Sequence, residues 1–339
     1  MFRPRILASA AVVAGTFCAG LAQAAEPVTI YSSRIERLIK PILDKYTEET
    51  GVEVRLLNDN GSALMERLAA EGEATQADML ITVDVGNLWR AADRGLIEAA
   101  PSEILAANVP ETMRDPQGRW YGLSRRERTL FFDPRKVKPE QLSTYEDLAD
   151  PKWKGQLCLR TGKQTYTQSL VAMLIHQHGA QKAEEIVRGW VDNLATEVFT
   201  NDTSLLEAVA AGQCTVGIAN TYYYGRLIAA KSDFKEQVHL FWANQGKDEG
   251  GVHVNLSGAG VVTHAKNPQG ALKLMEWLSS DAAQNGYTHG TYESPVNPAV
   301  APDAIVKAWG TYEANPINAS DIGKLQPEAI LLLDRAGYR

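Results

Sequence analysis

Cysteine is scarce: the 339-residue chain holds three. A disulfide-dense scaffold is thereby excluded. No apolar run long enough to span a bilayer, about 20 residues, occurs beyond residue 30. A basic surplus is missing too, with 34 Lys and Arg against 41 Asp and Glu and a formal charge of −7. A nucleic-acid binder needs clustered cations to neutralise phosphates, so no nucleic-acid partner is expected. The motifs of exported hydrolases are absent as well: there is no Gly-x-Ser-x-Gly, no His-Glu-x-x-His and no Ser-x-x-Lys with its partners. The six histidines are scattered. His176 and His178 lie two apart on an expected helix, where they diverge and serve to cover a helix end or surface. With no nucleophile and base in sight, the chain is not expected to be an enzyme. Repeats and low-complexity tracts are also lacking. What is there is ordinary globular material, 45% apolar and 22% charged, enough for roughly two domains of about 150 residues.

Arg3 and Arg5 precede an apolar, small-residue run over residues 6–21, and Ala22-Gln23-Ala24 has the small-x-small pattern of a cleavage site. Residues 1–24 read as a secretory signal peptide. The alternative, a short membrane anchor, is disfavoured by the length of the run. Cys18 follows Gly-Thr-Phe and is a poor match to a lipoprotein box. Cleavage removes two arginines and no acid, taking the formal charge from −7 to −9. The exported chain keeps only Cys158 and Cys214, each in a strand-like run. An oxidising compartment favours one structural disulfide between them, the alternative being two buried thiols.

Strand-like and helix-like segments alternate, which points to an α/β fold. Residues 28–31 read as a strand. Over residues 35–50 the apolar positions Ile35, Leu38, Ile39, Ile42, Leu43 and Tyr46 share one helical face, and Gly51 supplies a C-cap. A strand (52–57), a helix (62–70), a strand (77–83) and a helix (87–94) complete a first doubly wound lobe. A second series runs over residues 156–241, with strands at 157–160 and 215–219 and helices at 166–179, 181–194 and 202–211. The extended stretches 120–133 and 253–262 suit two crossovers between the lobes. The C-terminal third reads as helical, broken at 293–298 and 315–318. An exported two-lobed protein with two crossovers points to a hinged solute receptor, its ligand held where the carboxyl ends of strands converge.

Tyrosine is the unusual feature. Tyr222, Tyr223 and Tyr224 follow the 215–219 strand through Asn220 and Thr221, with a helix-like run expected from Gly225. Successive side chains diverge along a strand, so three tyrosines cannot be buried together there, whereas a turn aims two neighbours at one point. Tyr166 opens a helix after the segment from Arg160 to Thr165, where free amides suit an anion. Two readings stand side by side: amphipathic packing at a domain interface, or phenolate ligands for a hard trivalent cation. A phenol, with its pKa of about 10, gives up its proton only to a highly charged ion. Three phenolates neutralise Fe³⁺, while Ca²⁺ and Mg²⁺ prefer carboxylates and carbonyls.

Several stretches carry a resemblance: Tyr31-Ser-Ser-Arg34, Gly122-Leu-Ser-x-Arg126-x-Arg128, Asp147-Leu-Ala-Asp-Pro-Lys-Trp-Lys-Gly155, Tyr166-x-Gln-Ser-Leu-Val-Ala172, Asn220-Thr-Tyr-Tyr223 and His253-Val-Asn-Leu-Ser-Gly-Ala-Gly260. Together they resemble the periplasmic ferric-iron-binding proteins of ABC uptake systems, over nearly the whole exported chain. The resemblance implies a type II periplasmic-binding-protein fold. Two doubly wound lobes, residues 25–124 plus 254–303 and residues 125–253 plus 304–339, would be joined by two crossover strands with the ligand cleft between them. It implies Fe³⁺ bound by Tyr166, Tyr222 and Tyr223, with Arg126 holding a synergistic anion such as carbonate. The chain would be a periplasmic monomer delivering iron to an inner-membrane ABC permease. Tyr224 falls where relatives carry an aliphatic residue and is expected to pack, and Arg226 is a further neighbour of the site. For Arg126 the alternative is a salt bridge with Glu127 or Asp133. Many relatives continue the first motif with His-Tyr, whereas Ile35 and Glu36 stand here. Ile35 cannot bind metal, and Glu36 also reads as a first-turn acid favoured by the helix dipole. The alternative function is a receptor of the same fold for a small organic solute such as a polyamine, stacked on the tyrosines.

Overall fold

A computed structural model describes residues 26–339; the expected signal peptide and Cys18 lie outside the described residues. The chain opens with β1 (Val28–Ser32), α1 (Glu36–Thr50), β2 (Val54–Asn58), α2 (Gly61–Glu71), β3 (Met79–Val83), α3 (Val85–Asp93), β4 (Ile97–Glu98) and α4 (Glu103–Asn108). The long strand β5 (Tyr121–Phe132) leads to β6 (Leu157–Cys158), α5 (Thr165–His178), α6 (Ala180–Asp192), α7 (Asp202–Ala210), β7 (Val216–Asn220), α8 (Thr221–Ala230), α9 (Phe234–Gln237) and β8 (His239–Phe241). Then come β9 (His253–Val262), α10 (Pro268–Leu278), α11 (Asp281–Thr291), β10 (Ser294–Pro295), α12 (Ala304–Lys307) and α13 (Ala319–Arg335).

The strands join in the order β2-β1-β3-β9-β5-β7-β6, with β4 on β9 and both β8 and β10 on β5. The pairs β1–β2, β1–β3 and β6–β7 are parallel. Between these parallel groups β5 and β9 run antiparallel to each other, from Tyr121 opposite Ala259 to Arg128 opposite His253. At one end β9 pairs with β3, and at the other β5 pairs with β7. The two extended stretches are therefore the strands shared by both halves. Gly258 makes the first contact possible, because a Cβ there would lie 2.6 Å from the Tyr121 carbonyl oxygen.

Helix α1 buries Ile39, Ile42, Leu43 and Tyr46, the periodic face, and ends at Gly51, whose φ of 72° lets its N–H reach the Thr47 carbonyl. Helix α3 begins earlier than its apolar pattern indicates, because the Asp84 side chain accepts the Gly86 N–H and caps it at Val85. Along β5 the side chains alternate: Ser124, Arg126 and Arg128 share one face, Arg125 and Glu127 the other. Cys158 and Cys214 form a disulfide with 56 residues of separation. In the chain-entropy account a loop of that length contributes about 4 kcal/mol. The bridge ties β6 to the start of β7, the two strands whose following segments carry Tyr166 and the Tyr222–Tyr223 pair.

Candidate metal centre

Parallel strands aim their carboxyl ends the same way, so the segments that leave them meet. After β1 come Ser33, Arg34 and Ile35; β3 ends at Val83; β6 leads through Arg160 to Tyr166 on the first turn of α5; β7 leads into α8. Ser33, Arg34, Ile35, Leu38, Val83, Arg126, Tyr166, Tyr222, Tyr223, Arg226 and Glu293 line a cavity of about 100 Å³. All three expected tyrosines and Arg126 are thus brought to one place.

The tyrosines sit differently from the turn expected for them. Helix α8 starts at Thr221, so Tyr222, Tyr223 and Tyr224 occupy its first turn. Helical residues are spaced by about 100°, which sends two neighbours to one side and the third away. The Tyr222 and Tyr223 rings lie 4.3 Å apart at 31°. Tyr224 points into the core: its hydroxyl donates to the Val238 carbonyl at 2.6 Å, and its ring packs on Phe131, Phe234 and Trp309. Packing is its role, as its departure from the pattern indicates.

Arg126 pairs with neither Glu127 nor Asp133. It is 2% exposed; its Nη1 donates to the Tyr166 hydroxyl at 3.3 Å and its Nη2 to Ser257 Oγ. Its Nε lies 3.7 Å from Glu293 Oε2. Glu127 instead accepts from Thr221 and Tyr312, and Asp133 pairs with Arg135. Arg226 covers the Tyr222 ring, 4.8 Å from its centroid. Glu36 is exposed on the first turn of α1, outside the cavity lining, while Ile35 is 53% exposed and forms an apolar rim with Leu38.

Two groups escaped the sequence reading. Arg34 and Glu293, 259 residues apart, form a two-pronged pair with both oxygen contacts at 3.1 Å. Ser124 Oγ also donates to Glu293, and Arg34 donates to Ser257 Oγ at 2.6 Å. Arg160 donates to the Tyr223 hydroxyl at 3.5 Å and lies 3.4 Å from Asp202, which also holds Arg128 at 3.1 Å. Guanidinium groups thus reach two of the three phenol oxygens. Burial raises the Tyr222 phenol well above its usual value, the neighbouring Tyr166 and Tyr223 phenols add to this, and Arg126 opposes it. The phenol therefore stays protonated until a strong cation competes for its oxygen. Among the described residues no three His, Cys, Asp or Glu side chains gather to hold a metal ion.

Residues 42–314 match the family described as bacterial extracellular solute-binding protein. The chain belongs to this family. It is 40% identical over 319 residues to iron uptake protein A1 of Synechocystis sp., covering 93% of this chain and 88% of that one. Its structure matches that of Trichodesmium IdiA (FutA) in complex with iron and citrate ligands, with a TM-score of 0.87 and 39% identity over 92% of this chain and all of that one. Apo FutA2 from Synechocystis matches with a TM-score of 0.88 and 38% identity, over 94% of this chain. The fold is accordingly the type II fold of periplasmic solute receptors. The cavity described above lies between strand ends from both parallel groups, where α/β folds characteristically hold their ligands.

Proposed function

We propose that this solute-binding protein carries Fe³⁺ in the periplasm, holds it through the phenolates of Tyr166, Tyr222 and Tyr223, and delivers it to the inner-membrane permease of an ABC uptake system. The observation that carries the reading is the donor set: three phenols in one cavity, with Arg126 and Arg160 donating to two of them. Three phenolates balance the ferric charge, which leaves the guanidinium groups to attract a further anion such as carbonate, with Arg126 as its holder. The lobes flanking the cavity are residues 25–124 plus 254–303 and residues 125–253 plus 304–339. The chain acts as an exported monomer after loss of residues 1–24. It is a carrier and not an enzyme, and its acidic balance gives nucleic acid no footing. A polyamine receptor of the same fold fits less well. The one carboxylate lining the cavity, Glu293, is taken up by Arg34, and a polycation would face Arg126 and Arg226.

Protein purified without chelator is expected to contain stoichiometric iron and to show a visible phenolate-to-iron charge-transfer band. An iron-free preparation carrying a bound organic cation would overturn the reading. Arg126→Ala should release iron to a competing chelator about tenfold or more faster in bicarbonate buffer, the factor of one charge-assisted contact. The wild-type rate should slow with added bicarbonate and that of the variant should not. Equal bicarbonate dependence in both would remove Arg126 from the anion site.

A further inference from the structure

Asp84, at the junction of β3 and α3, is a buried carboxylate that makes no ion pair among the described residues. Four donors converge on it. Oδ1 accepts from the Gly86 N–H at 2.8 Å and from Gln326 Nε2 at 2.9 Å. Oδ2 accepts from Ser169 Oγ at 2.8 Å and from Asn255 Nδ2 at 2.6 Å. These donors belong to four elements: α3, α13, α5 and β9. The backbone of Asp84 has a φ of 120°, a conformation non-glycine residues rarely adopt. Such a conformation persists only where the surroundings over-determine it.

The placement relates to the cleft. Val83, the preceding residue, lines one wall of the cavity. Ser169 lies three residues, one helical turn, beyond Tyr166 on α5, the opposite wall. Asn255 sits directly across from Arg126 in the β5–β9 ladder. The Asn255 amide cannot turn over, because its Oδ1 already accepts from the Val85 and Leu256 N–H groups at 3.1 and 2.7 Å. Gln326 Nε2 also donates to Ser169 Oγ at 3.1 Å, closing the network across α13.

We propose that Asp84 is a positioning residue of the cleft, its carboxylate fastening the wall formed by β3 and α3 to α5, the helix that carries Tyr166, and to α13. Three of its four donors are N–H groups, which can only donate, so each needs an acceptor and Asp84 supplies one to all three. The latch spans both groups of parallel strands beside the shared strands β5 and β9. The ferric arm of the test below rests on the proposed iron site; the exchange arm does not.

The test is amide hydrogen exchange on the full exported chain without iron. D84N keeps the shape but sets an amide nitrogen against Asn255 Nδ2, two donors facing each other. Exchange is expected to quicken about tenfold or more in residues 167–173 and 323–329, the factor of a buried donor left without its acceptor, and to stay unchanged in β2. S169A, a milder change should D84N fold poorly, is expected to speed residues 167–173 and, through the lost Gln326 contact, residues 323–329 less. The exchanged pair D84N/N255D restores complementarity: the amide oxygen serves Gly86 and Gln326, and the amide nitrogen donates to the new carboxylate. It should return both segments to near the wild-type rate. Ferric release to a competing chelator should rise in D84N and recover in the double variant. Wild-type exchange in S169A, or no recovery in the exchanged pair, overturns the latch. Faster exchange with unchanged ferric release overturns its bearing on the cleft and leaves the iron reading intact. A wild-type chain that binds no iron overturns that reading alone.

Discussion

Tyr222→Phe is expected to abolish the charge-transfer band and to weaken Fe³⁺ binding by roughly 100- to 1,000-fold. The estimate follows from four-ligand metal sites worth about 10–16 kcal/mol, or about 3–4 kcal/mol per ligand. The substitution keeps the ring, so the stack on Tyr223 and the cover of Arg226 survive. Tyr166→Phe and Tyr223→Phe should show comparable losses, because each oxygen already faces a guanidinium donor, Arg126 or Arg160. Tyr224→Phe removes a hydroxyl that donates to the Val238 carbonyl. It should cost about 1 kcal/mol of stability and leave the colour unchanged. Binding to three phenols displaces about three protons, so ferric affinity should fall steeply as pH falls. The Tyr222 phenol should resist ionisation in the apo protein, since burial and the neighbouring phenols raise it. Isothermal titration in two buffers of different ionisation heat counts the protons. Equal losses at all four tyrosines would mean that packing, not oxygen, is being removed.

Much of this architecture is legible in the residues. Elements that bury one periodic face, such as α1, declare themselves because burial requires the period. The shared strands β5 and β9 were visible as long extended stretches, and export together with two cysteines pointed to the disulfide. The start of α8 was not legible. Three aromatic residues after a strand have no strong helix preference, and tertiary packing of Tyr224 among Phe131, Phe234 and Trp309 draws the helix back to Thr221. The site divides in the same way. The tyrosines stood out by type and clustering, and Arg126 by its motif. Glu293 did not, since it lies in a break between helices and gains meaning only through Arg34, 259 residues away. Arg160 was visible as part of a loop that opens α5, but its contact with Tyr223 depends on how β6 and β7 pair. Contacts of that range carry no local pattern. Asp84 was hidden for the same reason, its four donors coming from four elements.

Glu293→Gln is expected to cost about 3–5 kcal/mol of folding stability, the typical result of leaving a buried charge without its partner. Two guanidinium groups depend on this carboxylate, Arg34 at 3.1 Å and Arg126 at 3.7 Å, and all three side chains are buried. At about 2.1 cal/mol/K of unfolding entropy per residue, the loss should lower the melting temperature of a chain of this size by about 5–8 °C. The pH dependence gives a sharper check. Burial alone would raise the Glu293 carboxyl, but Arg34 and Arg126 outweigh it and hold it at about 2, against 4.5 for the unperturbed group. The folded value lies below the unfolded one. The pair's contribution is therefore complete above about 4.5 and is lost as pH falls towards about 2. At about 1.4 kcal/mol per pH unit the gap amounts to about 3 kcal/mol, in line with the mutational cost. Denaturant unfolding of the iron-free chain at a series of pH values should show this loss in the wild type and a shallower one in Glu293→Gln. Parallel slopes in the two proteins would show that Glu293 is not held ionised by its arginines. Arg126 would then need another anchor to keep its guanidinium on Tyr166.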